Sequence, residues 1–337
     1  MSVFPAKGAG PARGTTRAAL FLLLATGPLA EVLSENVQLL TYVRPLPFLF
    51  ITLTYGVPVL LIRELAAARK LNVVGVVLLG LAYGILNEGV LAKTLTQPGG
   101  SPLDDFAGYG QIGALQGGWA IFIVFWHSLH SVLYPILLSH WLFPDAAERR
   151  WFASGRARWL LYVLLTILFG LYALYFLNPL RNDIGPFLLY VTVSLALGAI
   201  ALRFCKVGGT LLQTSSTKPS LKPALFGACT LLFYVLQFGS PRQIPFVLYL
   251  ALSVALIAFA AWRMASAGWR PLPDLLLFGL GDDLAFSFLA AVLCVVTNRN
   301  PLQAVTAGAI FVAVFAYLIW AVRREPSGRS AAATAAR

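Results

Sequence analysis

Long apolar blocks alternate with short polar stretches from one end of the chain to the other, and this rhythm constrains the fold more than any motif. The blocks run roughly 17–26 residues, the length a helix needs to cross about 30 Å of hydrocarbon at about 1.5 Å per residue. A helix also satisfies its backbone N–H and C=O groups internally, which lipid demands and an open sheet cannot do. The expected fold class is therefore all-α, a polytopic transmembrane helical bundle. Ten spans are expected, at about 18–33, 46–63, 71–90, 118–143, 158–177, 185–203, 223–239, 245–262, 273–296 and 302–322. Composition agrees: 59% of the 337 residues are hydrophobic and 11% charged. Soluble chains run about 45–50% and about 25%.

The formal net charge of +12 would suit a nucleic-acid partner if it were clustered. Instead, 20 of the 25 Lys and Arg residues fall in alternate inter-span segments, beginning with the N-terminal one. Cytoplasmic loops carry such an excess, so both termini are expected in the cytoplasm and the chain in the cell (inner) membrane. No nucleic-acid partner is expected; the lipid bilayer is. Trp119, Trp141, Trp159, Trp262 and Trp320 lie near expected span ends, as an interfacial belt requires. The first span resembles a signal peptide, with Lys7, Arg13 and Arg17 before an apolar run, and its cleavage would leave nine spans. Pro28 suits a cleavage site badly, so a retained helix is expected. Cys205, Cys229 and Cys294 are scattered, without metal-ligand spacing.

The chain divides into a five-span half (1–205), a cytoplasmic linker (206–222), the C-terminal spans (223–322) and a disordered tail (323–337). Halves with an odd number of spans are inverted relative to one another, as in many secondary transporters. The connection 92–117, rich in Gly and Pro and holding Asp104-Asp105, is expected to be an irregular outer loop.

Ionisable groups within a span cost at least about 2.5–3.5 kcal/mol each and mark candidate sites. They are Glu31 and Glu88 toward the outer ends of spans one and three, His127 and His130 in span four, and Asp282-Asp283 in span nine. His127 and His130 stand three apart, on one face of an α-helix, with Ser131 and Tyr134 extending that face. Such a pair suits proton transfer, polarisation of a water, or a divalent metal, the one candidate cofactor. Hydrogen bonding between helices is the competing, structural role. His140 is expected at the cytoplasmic interface. Span three ends in Gly80-Leu-Ala-Tyr83-Gly84-Ile-Leu-Asn87-Glu88; its two glycines form a small-xxx-small face whose expected neighbour is the histidine helix. Arg63-Glu64 reads as a local ion pair closing span two. Gly279-Leu-Gly281 before Asp282-Asp283 suggests a loosened helix in which the two carboxylates diverge by about 100°, one facing a cation or proton site. There is no G-x-x-x-x-G-K-[ST], C-x-x-C-H or H-E-x-x-H motif.

The segments Leu61-Ile-Arg63-Glu64-Leu-Ala, Gly80-Leu-Ala-Tyr-Gly-Ile-Leu-Asn-Glu88-Gly and Phe125-Trp-His127-Ser-Leu-His130-Ser resemble an uncharacterised family of bacterial and archaeal polytopic membrane proteins. Their order is also similar to PrsW-type and CAAX-protease-like intramembrane proteases. That resemblance implies an intramembrane hydrolase acting on a membrane protein or peptide. Glu88 would be general base, and His127 with His130 would polarise water, substrate or a metal. The chain departs from the pattern in having Arg63-Glu64 for an acidic pair and Asn87-Glu88 for Glu-Asn. Two other functions are open: a proton- or cation-coupled transporter, with Asp282, Asp283 and the histidines lining a midplane site, and a non-catalytic accessory protein. Candidate substrate- or ion-binding residues are Asn87, Tyr83, Ser131, Tyr134, Asp282 and Asp283.

Overall fold

The computed structural model describes residues 13–96, 106–147, 149–152, 184–205, 222–239, 243–266, 271–298 and 300–324, with a few positions between 155 and 167. The expected span 158–177, the linker 206–222, Asp104-Asp105 and the tail beyond Arg324 lie largely or wholly outside these residues. What is described is mostly helical, with short connecting turns and one short hairpin. In chain order the elements are α1 (Arg13–Gly27), α2 (Leu39–Tyr42), α3 (Pro45–Arg69), α4 (Val73–Ile85), β1 (Gln111–Ile112), β2 (Leu115–Gln116), α5 (Gly117–Trp126), α6 (Tyr134–Leu142), α7 (Pro144–Ala147), α8 (Ile184–Phe204), α9 (Lys222–Gly239), α10 (Phe246–Ser266), α11 (Pro271–Val296) and α12 (Pro301–Arg324). Six membrane-length apolar helices stand among the described residues: Pro45–Arg69, Val73–Leu91, Gly117–Leu142, Ile184–Phe204, Asp274–Val296 and Pro301–Arg324.

Local chemistry sets the helix limits. Pro45 opens α3, where a missing N–H costs nothing, and Lys70 closes it in the left-handed region at φ 51°. Asn72 caps α4 by accepting the Gly75 N–H at 2.9 Å. Pro58, inside α3, frees the Thr54 carbonyl, and the Tyr83 hydroxyl donates to it from α4 at 3.3 Å.

Three helices widen into π turns: Pro28–Val32 after α1, Leu86–Leu91 after α4, and His127–Leu133 between α5 and α6. These turns hold Glu31, Asn87 and Glu88, and both histidines of the pair.

Small residues let the site helices approach. A Cβ on Gly80 would lie 2.8 Å from Ser128 Cα, and one on Gly84 would lie 3.1 Å from His127 Cβ. The expected small-residue face thus meets the expected helix. Gly279 is crowded in the same way by the Tyr134 ring. Here the structure corrects the sequence reading, because α11 continues through Gly279 and Gly281 without a break. The backbone N–H of Asn72 donates to the Cys205 carbonyl at 2.8 Å, so α4 begins where α8 ends. That end of the bundle carries Arg63, Arg69, Lys70, Arg149, Arg150 and Arg203. At the other end Tyr109, beside the hairpin, donates to the Ile244 carbonyl at 3.0 Å.

Candidate functional site

The first network gathers on the π turns after α1 and α4 and on the turn between α5 and α6. Glu88 Oε1 lies 2.7 Å from His127 Nε2 and accepts from Asn87 Nδ2 at 3.0 Å. Thr94 donates to Glu88 Oε2. Asn87 Nδ2 lies 3.3 Å from the same His127 nitrogen. The His127 Nδ1 contacts Ser131 Oγ at 3.1 Å. Tyr55, from the middle of α3, stacks on His127 with ring centroids 5.7 Å apart, and Tyr83 meets the same ring edge-on at 5.8 Å. Tyr55 also donates to Glu31, which accepts from Asn36 as well. Glu31, Glu88, Asn87 and His127 are all buried.

The second network joins the histidine helix to α11. His130 Nδ1 lies 2.5 Å from Asp283 Oδ1. Its Nε2 contacts the Tyr234 hydroxyl from α9 and lies 3.5 Å from Asp282 Oδ2. Tyr134 donates to Asp282 Oδ2 at 2.6 Å. Both aspartates therefore bear on His130. The expected divergence is reduced because Tyr134 draws Asp282 back toward the imidazole. His130, Asp282 and Asp283 are at most 2% exposed.

Trp126 connects the two networks. Its ring stacks on His130 at 3.9 Å, and its Nε1 donates to the Ala30 carbonyl, next to Glu31, at 3.1 Å.

His127 and His130 do not share a ligand point. In the wider i→i+5 turn, three residues fall further short of a full turn than in an α-helix, so the rings diverge. All four ring nitrogens already face other partners. Among the described residues, no three His, Cys, Asp or Glu side chains converge as a metal site. The donor set does not fit the divalent metal expected on this pair.

Arg63-Glu64 forms the expected local ion pair, Arg63 Nη1 lying 2.7 Å from Glu64 Oε1, and the pair is buried as a clamp. Arg63 also donates to the Ala146 and Ala147 carbonyls at 3.0 and 2.7 Å. Glu64 accepts the Trp151 and Phe152 N–H groups at 2.7 and 3.3 Å. His140, two residues before the end of α6, is buried beside Arg63. Of the expected belt, Trp159 and Trp320 are exposed, whereas Trp119 is buried and donates to Thr94 at 2.9 Å.

Sequence reasoning singled out Glu31 without giving it a partner, and missed Tyr55, Thr94, Asn36 and Tyr234. A hydroxyl in mid-span was the available signal for the two tyrosines. Outside the spans, burial pushes the Glu35 carboxyl up to about 7 and lowers the Lys93 ammonium.

Two buried acceptors of the site have no partner among the described residues, Asn87 Oδ1 and Asp282 Oδ1. No curated protein and no solved structure matches the chain. The structure and composition are those of an all-α membrane protein, similar over residues 20–183 to an uncharacterised membrane protein family.

Proposed function

We propose that this chain is a proton-coupled secondary transporter of the cell membrane, with its basic end and both termini in the cytoplasm. The observation that carries the reading is His130, from one half of the chain, held 2.5 Å from Asp283 of the other half. Buried Asp, Glu and His sets within spans are the usual material of proton relays. A proton can shift between His130 Nδ1 and Asp283 Oδ1 without leaving an isolated charge in hydrocarbon. Its arrival or loss changes the attraction that ties α11 to the histidine helix. Protonation thus biases how tightly the two halves close, which is the coupling that alternating access requires.

The test uses full-length protein in liposomes loaded with a pH-reporting dye, with proton entry driven by a valinomycin potassium potential. Entry faster than in empty liposomes is expected, and its loss in Asp282→Asn/Asp283→Asn. Entry equal to that of empty liposomes overturns the reading.

One observation favours a second reading, intramembrane hydrolysis. Glu88 and His127 stand 2.7 Å apart, as a general base and its orienting partner would. The order of the three motifs, which resembles that of PrsW-type proteases, also favours it. Cleavage of a membrane-embedded peptide reporter that disappears in Glu88→Gln would distinguish it.

A further inference from the structure

We propose that Asn87 and Glu88 form a binding site for a small monovalent cation, sodium-sized or a primary ammonium. The proposal rests on the transporter reading only for its role, as coupling ion or cargo; the binding itself is independent of transport.

The central observation is Asn87 Oδ1. Asn87 is 2% exposed, and this oxygen has no partner among the described residues. Nδ2 donates to Glu88 Oε1 at 3.0 Å and lies 3.3 Å from His127 Nε2, and the reversed amide would set its oxygen against the Glu88 carboxylate, which favours Oδ1 as the unpartnered atom. A buried amide oxygen without a donor is destabilising, so an occupant that supplies positive charge or a donor would stabilise the site.

Charge and chemistry define that occupant. The same amide reaches the Glu88 carboxylate through its Nδ2, and that carboxylate is steadied by Thr94, whose hydroxyl in turn accepts from Trp119. The Tyr55 and Tyr83 rings flank His127 next to this pair, and aromatic rings favour a cation in their vicinity. The site therefore presents one amide oxygen and one carboxylate. Ca²⁺ takes six to eight oxygen ligands, and the transition metals favour imidazole or thiolate. One formal negative charge with neutral oxygen suits a single positive charge. The π turn Leu86–Leu91 also departs from regular helix at this position, where discontinuous helices bind ions in transporters.

The experiment is thermal unfolding of the detergent-purified full chain in sodium, potassium, ammonium and methylammonium chloride, with choline chloride as reference at equal ionic strength. A saturable rise in Tm with sodium, or with the two ammonium salts, is expected, and which of these acts separates an alkali from an ammonium ligand. Asn87→Ala should weaken the apparent affinity about tenfold, the equivalent of one charge-assisted contact. Asn87→Asp, which keeps an oxygen there, should retain binding. If Asn87→Ala does not fold, the wild-type salt series with Asn87→Asp still decides. A wild-type Tm equal in all five salts, or an unchanged response in Asn87→Ala, overturns the proposal. Proton entry with no cation response leaves the transporter reading standing without this site. A cation response without proton entry does the converse.

Discussion

The four carboxylates Glu31, Glu88, Asp282 and Asp283, all singled out by sequence, are each met by a hydrogen-bond donor. Glu31 is met by Tyr55 and Asn36, Glu88 by His127, Asn87 and Thr94, and Asp282 and Asp283 by Tyr134 and His130. The expense of burying charge explains why Glu88, His127, His130, Asp282 and Asp283 could be read from the sequence. Tyr55 and Tyr234 could not, because a tyrosine in a span is cheap until its hydroxyl has a known partner. Glu35, just outside the first span, gives a prediction at this scale. Its carboxyl is raised to about 7 by burial, so between about 4.5 and about 7 the folded state holds a proton that the unfolded state has released. Its contribution to stability is therefore lost as pH rises through that window. Chemical unfolding from pH 4.5 to 8 should show a decline in wild type that is shallower in Glu35→Gln. Equal slopes would contradict the assignment.

At the scale of elements, span limits were legible because hydrocarbon thickness fixes helix length: 46–63, 118–143 and 273–296 were expected, against Pro45–Arg69, Gly117–Leu142 and Pro271–Val296. The three π turns were not legible. No residue type marks a π turn, and a three-residue spacing reads as one face only if the helix is α. Likewise Gly279 and Gly281 suggested a break, whereas Gly279 admits the Tyr134 ring to an intact helix. The α3–α4 contact offers a measurable test. Tyr83 donates to the Thr54 carbonyl that Pro58 leaves free, so Tyr83→Phe should cost about 1–2 kcal/mol in detergent unfolding. Pro58→Ala supplies an N–H to that carbonyl. Tyr83→Phe on this background should then cost less than half as much, a coupling that a double-mutant cycle reads directly.

Over the whole molecule, Arg63 and Glu64 fasten α3 to the segment that follows α6, and so hold the Tyr55 helix against the histidine helix. The Arg63 guanidinium also lies 3.7 Å above the Trp151 ring. Arg63→Ala would leave Glu64 buried without its partner charge, which costs about 3–5 kcal/mol for such pairs. Hydrogen exchange should accelerate at Trp151 and Phe152, whose N–H groups Glu64 holds, before it does in α4. Protection unchanged at those two amides would show the clamp to be dispensable. By itself the sequence determined the helical membrane class, the approximate limits of several long helices and the identity of most buried charges. Each follows from a one-dimensional rule: hydrocarbon thickness, the cost of desolvating a charge, or helical period. Only the tertiary structure decided that Glu88 belongs with His127 and that Asp282 and Asp283 belong with His130, residues 39 to 153 positions apart. Pairings at that separation depend on how π turns rotate side chains and how glycines admit neighbouring helices, and no local rule encodes either.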